Sequence, residues 1–162
     1  MSRKSFVLAA VLLALSTTPG LAQEARHGEA SAARLAAAAS EAAAALDAFH
    51  AALRAGDRDA ALALLAEDAL IFEAGGAERS RAEYASHHLG ADAAFAVATE
   101  ATVTRRSGDA SGDVAWITSE GRTTGTFNGR AVDRITAETV LLRRHGDGWR
   151  IHHIHWSSRA PG

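Results

Sequence analysis

The chain has 162 residues, no cysteine, and 17 Lys plus Arg against 19 Asp plus Glu, for a formal net charge of −2. That length suits one domain with its own core. The missing cysteines exclude disulfides, thiol catalysis and thiolate metal sites, and the near-balanced charge implies neither a nucleic-acid nor a membrane-surface partner.

Residues 1–22 have the build of a secretory signal peptide. Arg3 and Lys4 give the positive start, and Gly20-Leu21-Ala22 the small residues of a cleavage site. Phe6 to Leu15 is apolar but shorter than the ~20 residues that span a bilayer. The mature chain is therefore expected to start at Gln23, to be periplasmic or secreted, and to have no membrane partner after cleavage. Residues 23–39 are Ala-rich with few large apolar side chains, which predicts a mobile lead-in tending toward helix. The domain is expected over residues 40–159.

From Ser40 to Arg54, Ala42, Leu46, Phe49 and Leu53 form one apolar stripe of a helix that Gly56 ends. His50, on the edge of that stripe, reads as a packed or surface residue. Asp57 is placed to cap a shorter helix from about Arg58 to Leu65. Ala69 to Glu73 predicts a strand turned by Gly75-Gly76, with Glu73 pointing either to solvent or into a cavity. Ser80-Arg81-Ala82-Glu83 is a capping box. The helix it opens is expected to stop at Gly90, with Tyr84 and His88 on one face and His87 at its dipole end.

Beyond Asp92 the pattern becomes β: a strand from Phe95 to Arg106, a loop from Ser107 to Gly112, then Val114 to Phe127. Asn128-Gly129 signals a type I′ hairpin, because both central positions need positive φ. Arg130 to Arg144 returns as a strand, and His145 to Gly148 turns into Trp149-Arg150-Ile151-His152-His153-Ile154-His155-Trp156-Ser157-Ser158. This last run holds three of the eight histidines and two of the three tryptophans.

Symmetric turns set a register. Ile117 falls opposite Val140, Ser119 opposite Glu138, Leu142 opposite Ile151, Val140 opposite His153, and Glu138 opposite His155. One face then runs from apolar (Ala115, Ile117, Val140, Leu142, Trp149, Ile151) to polar (Ser119, Glu138, Thr136, His153, His155), as a half-open cavity needs. The other face carries Trp116, Leu141, Ile135, Ile154 and Trp156, apolar enough to imply a homodimer through that outer face. A one-residue bulge would exchange the faces beyond it.

Leu62 to Ala69 leading into a strand, and Asp147-Gly148-Trp149-Arg150-Ile151 leading into His155-Trp156-Ser157, resemble the nuclear transport factor 2-like superfamily. Within it the chain is most similar to small exported SnoaL-like proteins, over roughly Leu46 to Ser158. The resemblance implies an α+β cone: about three N-terminal helices on a strongly bent, mixed, mostly antiparallel sheet. That fold hosts isomerases, cyclases, dehydratases, hydrolases and binding modules. Its ketosteroid isomerases pair an aspartate with a tyrosine, but here the only tyrosine is Tyr84 and no pocket aspartate is evident. Its dehydratase-like members use a histidine and a carboxylate, a role Glu138 and His155 would fill.

Three readings of the site stay open. In the first, a pocket takes a small organic ligand, for binding or for isomerase, dehydratase or hydrolase chemistry. His155 is then the acid or base, Glu138 orients its ring, and His153, Ser119, Tyr84, His88, Glu73 and Trp149 line the pocket. In the second, His153 and His155 bind Zn²⁺ or Cu²⁺ with His88 or Glu73, a set that suits either metal. In the third, the polar network is structural and the protein is a dimeric interaction module.

Overall fold

The computed structural model describes residues 35–146 and 148–162. The proposed signal peptide and most of the lead-in lie outside the described residues. A short 3-10 turn, Ala37–Ala39, precedes helix α1 (Ser40–Ala55), whose stripe Ala42, Leu46, Phe49 and Leu53 is buried. Leu35 forms a parallel bridge with Gly108, and the Ala36 amide donates to the Gly108 carbonyl at 2.9 Å, so the end of the lead-in is docked. Gly56 ends α1 at φ 71°, a conformation a Cβ disfavours. The Asp57 carboxylate accepts from the Ala60 amide at 3.0 Å to cap α2 (Arg58–Ala63).

Strand β1 (Leu65–Glu73) leads through a tight turn to β2 (Gly76–Glu78). Helix α3 (Arg81–His87) starts at Ser80, whose hydroxyl accepts from the Glu83 amide at 3.0 Å. The Glu83 carboxylate closes back on the amide of Arg79 at 2.6 Å, one residue earlier than the box predicts. Gly90 does not stop the helical run. After a break at His88, α4 (Leu89–Ala98) carries through it, so Phe95–Ala98 is helix rather than strand. Five of its ten residues are alanine, the best helix former, and buried Ala93 packs into the core. Among the described residues four α-helices, rather than about three, precede the long strands.

β3 (Thr99–Ser111), β4 (Val114–Phe127), β5 (Arg130–His145) and β6 (Gly148–Arg159) complete one sheet in the order β2-β1-β6-β5-β4-β3. The expected loop at Ser107–Gly112 belongs mostly to β3. Among the strands of the described residues only β1 and β6 run parallel, and every other pair is antiparallel. Asn128 (φ 49°) and Gly129 (φ 73°) make the predicted turn. Ile117 pairs with Val140 and Ser119 with Glu138, as expected.

The last hairpin departs from the expected register. Leu142 pairs with Ile151, but Leu141 pairs with His153, leaving His152 as an extra residue. Val140 therefore faces Ile154 rather than His153, and Glu138 faces Trp156 rather than His155. The bulge turns Ile154 and Trp156 into the cone and His153 and His155 out of it. Burying Ile154 completely is worth about 1.5–3 kcal/mol, whereas the unbulged register would bury two imidazoles in its place. Ala115, Ile117, Val140, Leu142, Ile151 and Ile154 form the sheet side of the core; Leu46, Phe49 and Tyr84 form the helical side. Trp116 and Leu141 stay exposed on the outer face.

Candidate functional site

A cavity of about 120 Å³ lies between the end of β1 and helices α3 and α4, bounded by Ile71, Glu73, Glu78, Tyr84, Asp92 and Trp156. Each group arrives for a local reason. Strand alternation sends Ile71 and Glu73 to one face, and the parallel pairing sets Glu73 beside Trp156. Tyr84 lies on α3, His88 one turn later at the junction of α3 and α4, and Asp92 a further turn on in α4.

Tyr84 is fully buried, and its hydroxyl donates to Asp92 Oδ2 at 2.9 Å. Burial raises the Asp92 carboxyl above its ordinary value; the Tyr84 hydrogen bond and the charge of His88 offset part of this, and Glu78 adds to it. Partial burial against the cavity also raises Glu73, with the Asp92 charge adding to the rise and His88 opposing it, although the residue is largely exposed to solvent. The Tyr84 phenol is pushed far up by burial and by Asp92, so it stays a hydrogen-bond donor. Two carboxyls with raised affinity for protons thus share one small cavity with a tyrosine hydroxyl.

At the rim, buried Glu78 receives two imidazoles, with His87 Nδ1 at 3.3 Å and His88 Nδ1 in hydrogen-bond contact. Glu83 also approaches: one ligand atom each from Glu78, Glu83 and His87 lies within 4.8 Å of the others.

Behind Trp156 sits a second polar cluster. The Trp156 indole stacks on Phe49 at 6.4 Å and donates to Glu138 Oε1 at 2.8 Å. His50 Nε2 reaches the same carboxylate oxygen at 2.9 Å. Arg106 donates to the Ser119 hydroxyl at 3.2 Å and pairs with Asp47 at 2.7 Å. Burial pushes Glu138 up, but the His50 hydrogen bond and charge, the indole and Arg106 outweigh it, and the carboxyl lies below its ordinary value.

Of the residues singled out from the sequence, Glu73, Tyr84 and His88 meet at the cavity. Glu138 and Ser119 lie on the inner face, but the imidazole on Glu138 comes from His50, not His155. His153 and His155 pack edge-on against Phe72 at 5.2 and 6.3 Å on the outer face, and His153 Nδ1 meets the Leu70 carbonyl at 2.8 Å. The bulge thus separates both from Glu138, and from the Glu73 and His88 with which a metal set was expected. Trp149 packs in the core under the Arg144 guanidinium at 4.6 Å rather than lining the cavity. Asp92, Glu78 and His50 were missed. For Asp92 the signal was present: 84, 88 and 92 form one helical stripe once the helix is continued through Gly90.

Residues 42–161 match the SnoaL-like domain. The chain belongs to this family. A candidate ketosteroid isomerase from Shewanella frigidimarina is similar at 37% identity, over 75% of this SnoaL-like chain and 98% of its own, with a TM-score of 0.70. Two further structures share the fold. One is a candidate dehydratase of the NTF2-like family from Streptomyces avermitilis, with 20% identity, 75% and 95% of the two chains covered, and a TM-score of 0.65. The other is an NTF2-like protein with a cystatin-like fold from Novosphingobium aromaticivorans, with 18% identity, 88% and 90% covered, and a TM-score of 0.62. No curated protein matches the chain.

Proposed function

We propose that this SnoaL-like domain moves a proton on a small carbonyl-bearing organic ligand, as an isomerase or a dehydratase. The observation that carries the reading is the pairing of Glu73 with Asp92–Tyr84 in one cavity. A carboxyl whose proton affinity is raised toward the working pH is suited to take and return a proton. Glu73, the more open of the two, removes the proton from the carbon beside the carbonyl. In an isomerisation it returns that proton to another carbon; in a dehydration it passes it to the departing hydroxyl. Tyr84 turns its one hydroxyl hydrogen from Asp92 to the enolate oxygen, and the raised proton affinity of Asp92 lets that carboxyl take up a proton and donate back to the Tyr84 oxygen, the use of a buried acid as a donor. The name of the Shewanella relative supports the isomerase form of this reading, and the Streptomyces fold relative is compatible with the dehydratase form.

The cavity is smaller than the ~300–1,000 Å³ of drug-sized sites, so the ligand is small or inserts only its reacting end. His50 and Glu138 hold Trp156 against the cavity, as positioning residues. Export under the N-terminal signal and a homodimer through the outer sheet face, where Trp116 and Leu141 are exposed, complete the proposal.

Deuterium exchange next to the carbonyl, followed by NMR over a panel of small ketones and enones, tests it. Exchange by the wild-type protein that falls at least tenfold in both Glu73→Gln and Asp92→Asn is expected. Exchange that both variants leave unchanged sinks the assignment. A second reading, a Zn²⁺ or Cu²⁺ site, is favoured by the approach of Glu78, Glu83 and His87. Under it, His87→Ala abolishes stabilisation of the protein by added metal.

A further inference from the structure

A second hollow, larger than that cavity, lies elsewhere. Between Leu65 and Leu70, β1 advances five residues while β6 advances two, from Ile151 to His153. The slack opens a groove of about 700 Å³ against the β5–β6 hairpin, lined by Arg81, Arg143, Arg144, Arg150, His145 and His152, with Glu67 and Asp68 on its other wall.

Two of these cations already have carboxylate partners. Arg81 reaches Glu67 at 3.5 Å, and Arg144 reaches Glu41 at 3.0 Å and Asp113 at 3.8 Å. Arg143 and Arg150 do not. They pair directly across the hairpin, an arrangement of like charges that destabilises a sheet. Among the described residues no carboxylate forms an ion pair with either, and Arg150 donates only to the Trp149 carbonyl, at 3.2 Å.

The histidines add direction. His152 Nδ1 lies 3.2 Å from Asp68, and the two Nε2 atoms of His145 and His152 meet at 3.0 Å with the rings 18° from coplanar. If His152 donates through Nδ1 to Asp68, its Nε2 accepts the Nε2–H of His145, and the free edge of His145 is Nδ1. The head-on approach leaves no room for a cation, since two Zn–N bonds of about 2.0–2.1 Å in line would need the nitrogens ~4 Å apart.

We propose that this groove binds a tetrahedral oxyanion group, phosphate or sulfate, free or at the end of a larger ester. Two guanidinium forks offer more donors than the two oxygens of a single carboxylate can satisfy, whereas a tetrahedral oxyanion presents three or four. The site is independent of the Glu73–Asp92 cavity and stands or falls apart from it.

The experiment is calorimetric titration and thermal unfolding of the purified mature chain at low ionic strength, with inorganic phosphate and phenyl phosphate as probes and chloride as control. Wild-type protein is expected to bind phosphate and be stabilised beyond the chloride control. Arg143→Gln with Arg150→Gln should weaken binding at least tenfold, while Arg130→Gln, at the far end of β5, should not. Without anion, Arg143→Gln should unfold at a higher temperature than wild type, because the like-charge pair is relieved. This readout does not depend on having found the right ester. Preference for phenyl phosphate identifies an ester end and preference for inorganic phosphate a free anion; both support the site. Phosphate no better than chloride, or binding equal in wild type and the double variant, overturns it.

Discussion

Replacing Glu138 isolates what holds Trp156 inward. Its side chain is only 10% exposed and accepts from both His50 and the Trp156 indole. Leucine at this position removes the acceptor from two donors and leaves a partly buried imidazole and indole N–H unpaired. Breaking such a buried pair costs about 3–5 kcal/mol, a large share of the ~5–15 kcal/mol that keeps a domain folded. With a urea slope of about 2 kcal/mol/M, the unfolding midpoint should fall by roughly 2 M. Glutamine keeps one acceptor and should cost about half as much. Urea titrations followed by far-UV circular dichroism measure both. Acid adds a second test. The folded carboxyl lies below its ordinary value of 4.5, so its stabilisation is present above that pH and is lost as pH falls through the lowered folded value. Wild type should therefore lose stability more steeply than Glu138→Gln below about pH 4.5. A leucine variant as stable as wild type, or equal acid slopes, would refute the reasoning.

Other expectations follow from the same geometry. A Cβ on Gly121 would lie 2.5 Å from the Thr102 carbonyl oxygen, so Gly121→Ala should lower the melting temperature by an overpacking cost of about 1–3 kcal/mol. Deleting His152 removes the extra residue yet leaves Val140 opposite Ile154 and Glu138 opposite Trp156, so Ile154 and Trp156 should stay inside; a collapsed, poorly dispersed NMR spectrum from that variant would contradict the register. Tyr84→Phe should cost about 0.5–1.5 kcal/mol in urea unfolding. Asp92 has a raised folded value, so its stabilising contribution is complete below its ordinary 3.8 and is lost as pH rises through the raised value. Asp92→Asn should therefore flatten the loss of stability between pH 4 and neutrality, read as melting temperature against pH.

The parts legible in the sequence were those set by local chemistry. Gly56, Asp57, Ser80 and Asn128-Gly129 each demand a particular backbone, and each marks a boundary where expected. The Ile117–Val140 register followed from the Asn128-Gly129 turn, and the α+β cone was what the family resemblance implied. The site depended on two features that no local rule fixes. Phe95 and Val97 alternate like a strand, and Gly90 looks like a stop, yet packing against α1 keeps the segment helical and brings Asp92 under Tyr84. The extra residue at His152 is favoured because it buries Ile154 and Trp156, a tertiary gain invisible in a turn count. Both misplacements, of His155 for His50 and of an absent aspartate for Asp92, trace to those two points.

The contact between Leu35 and Gly108 bears on how separate molecules avoid one another. β3 is the last strand of the sheet and thirteen residues long, and an uncovered strand of that length offers its backbone to any neighbouring chain. Leu35 and Ala36 cover that margin at Gly108, toward the C-terminal end of the strand, and Arg105 and Arg106 precede the covered part. Gly108 must lack a side chain for the cover to fit, because a Cβ there would lie 2.6 Å from the Trp116 carbonyl oxygen and 3.1 Å from Leu35. A chain trimmed to begin at Ala37 should still fold, yet form concentration-dependent aggregates that a chain retaining Leu35 does not.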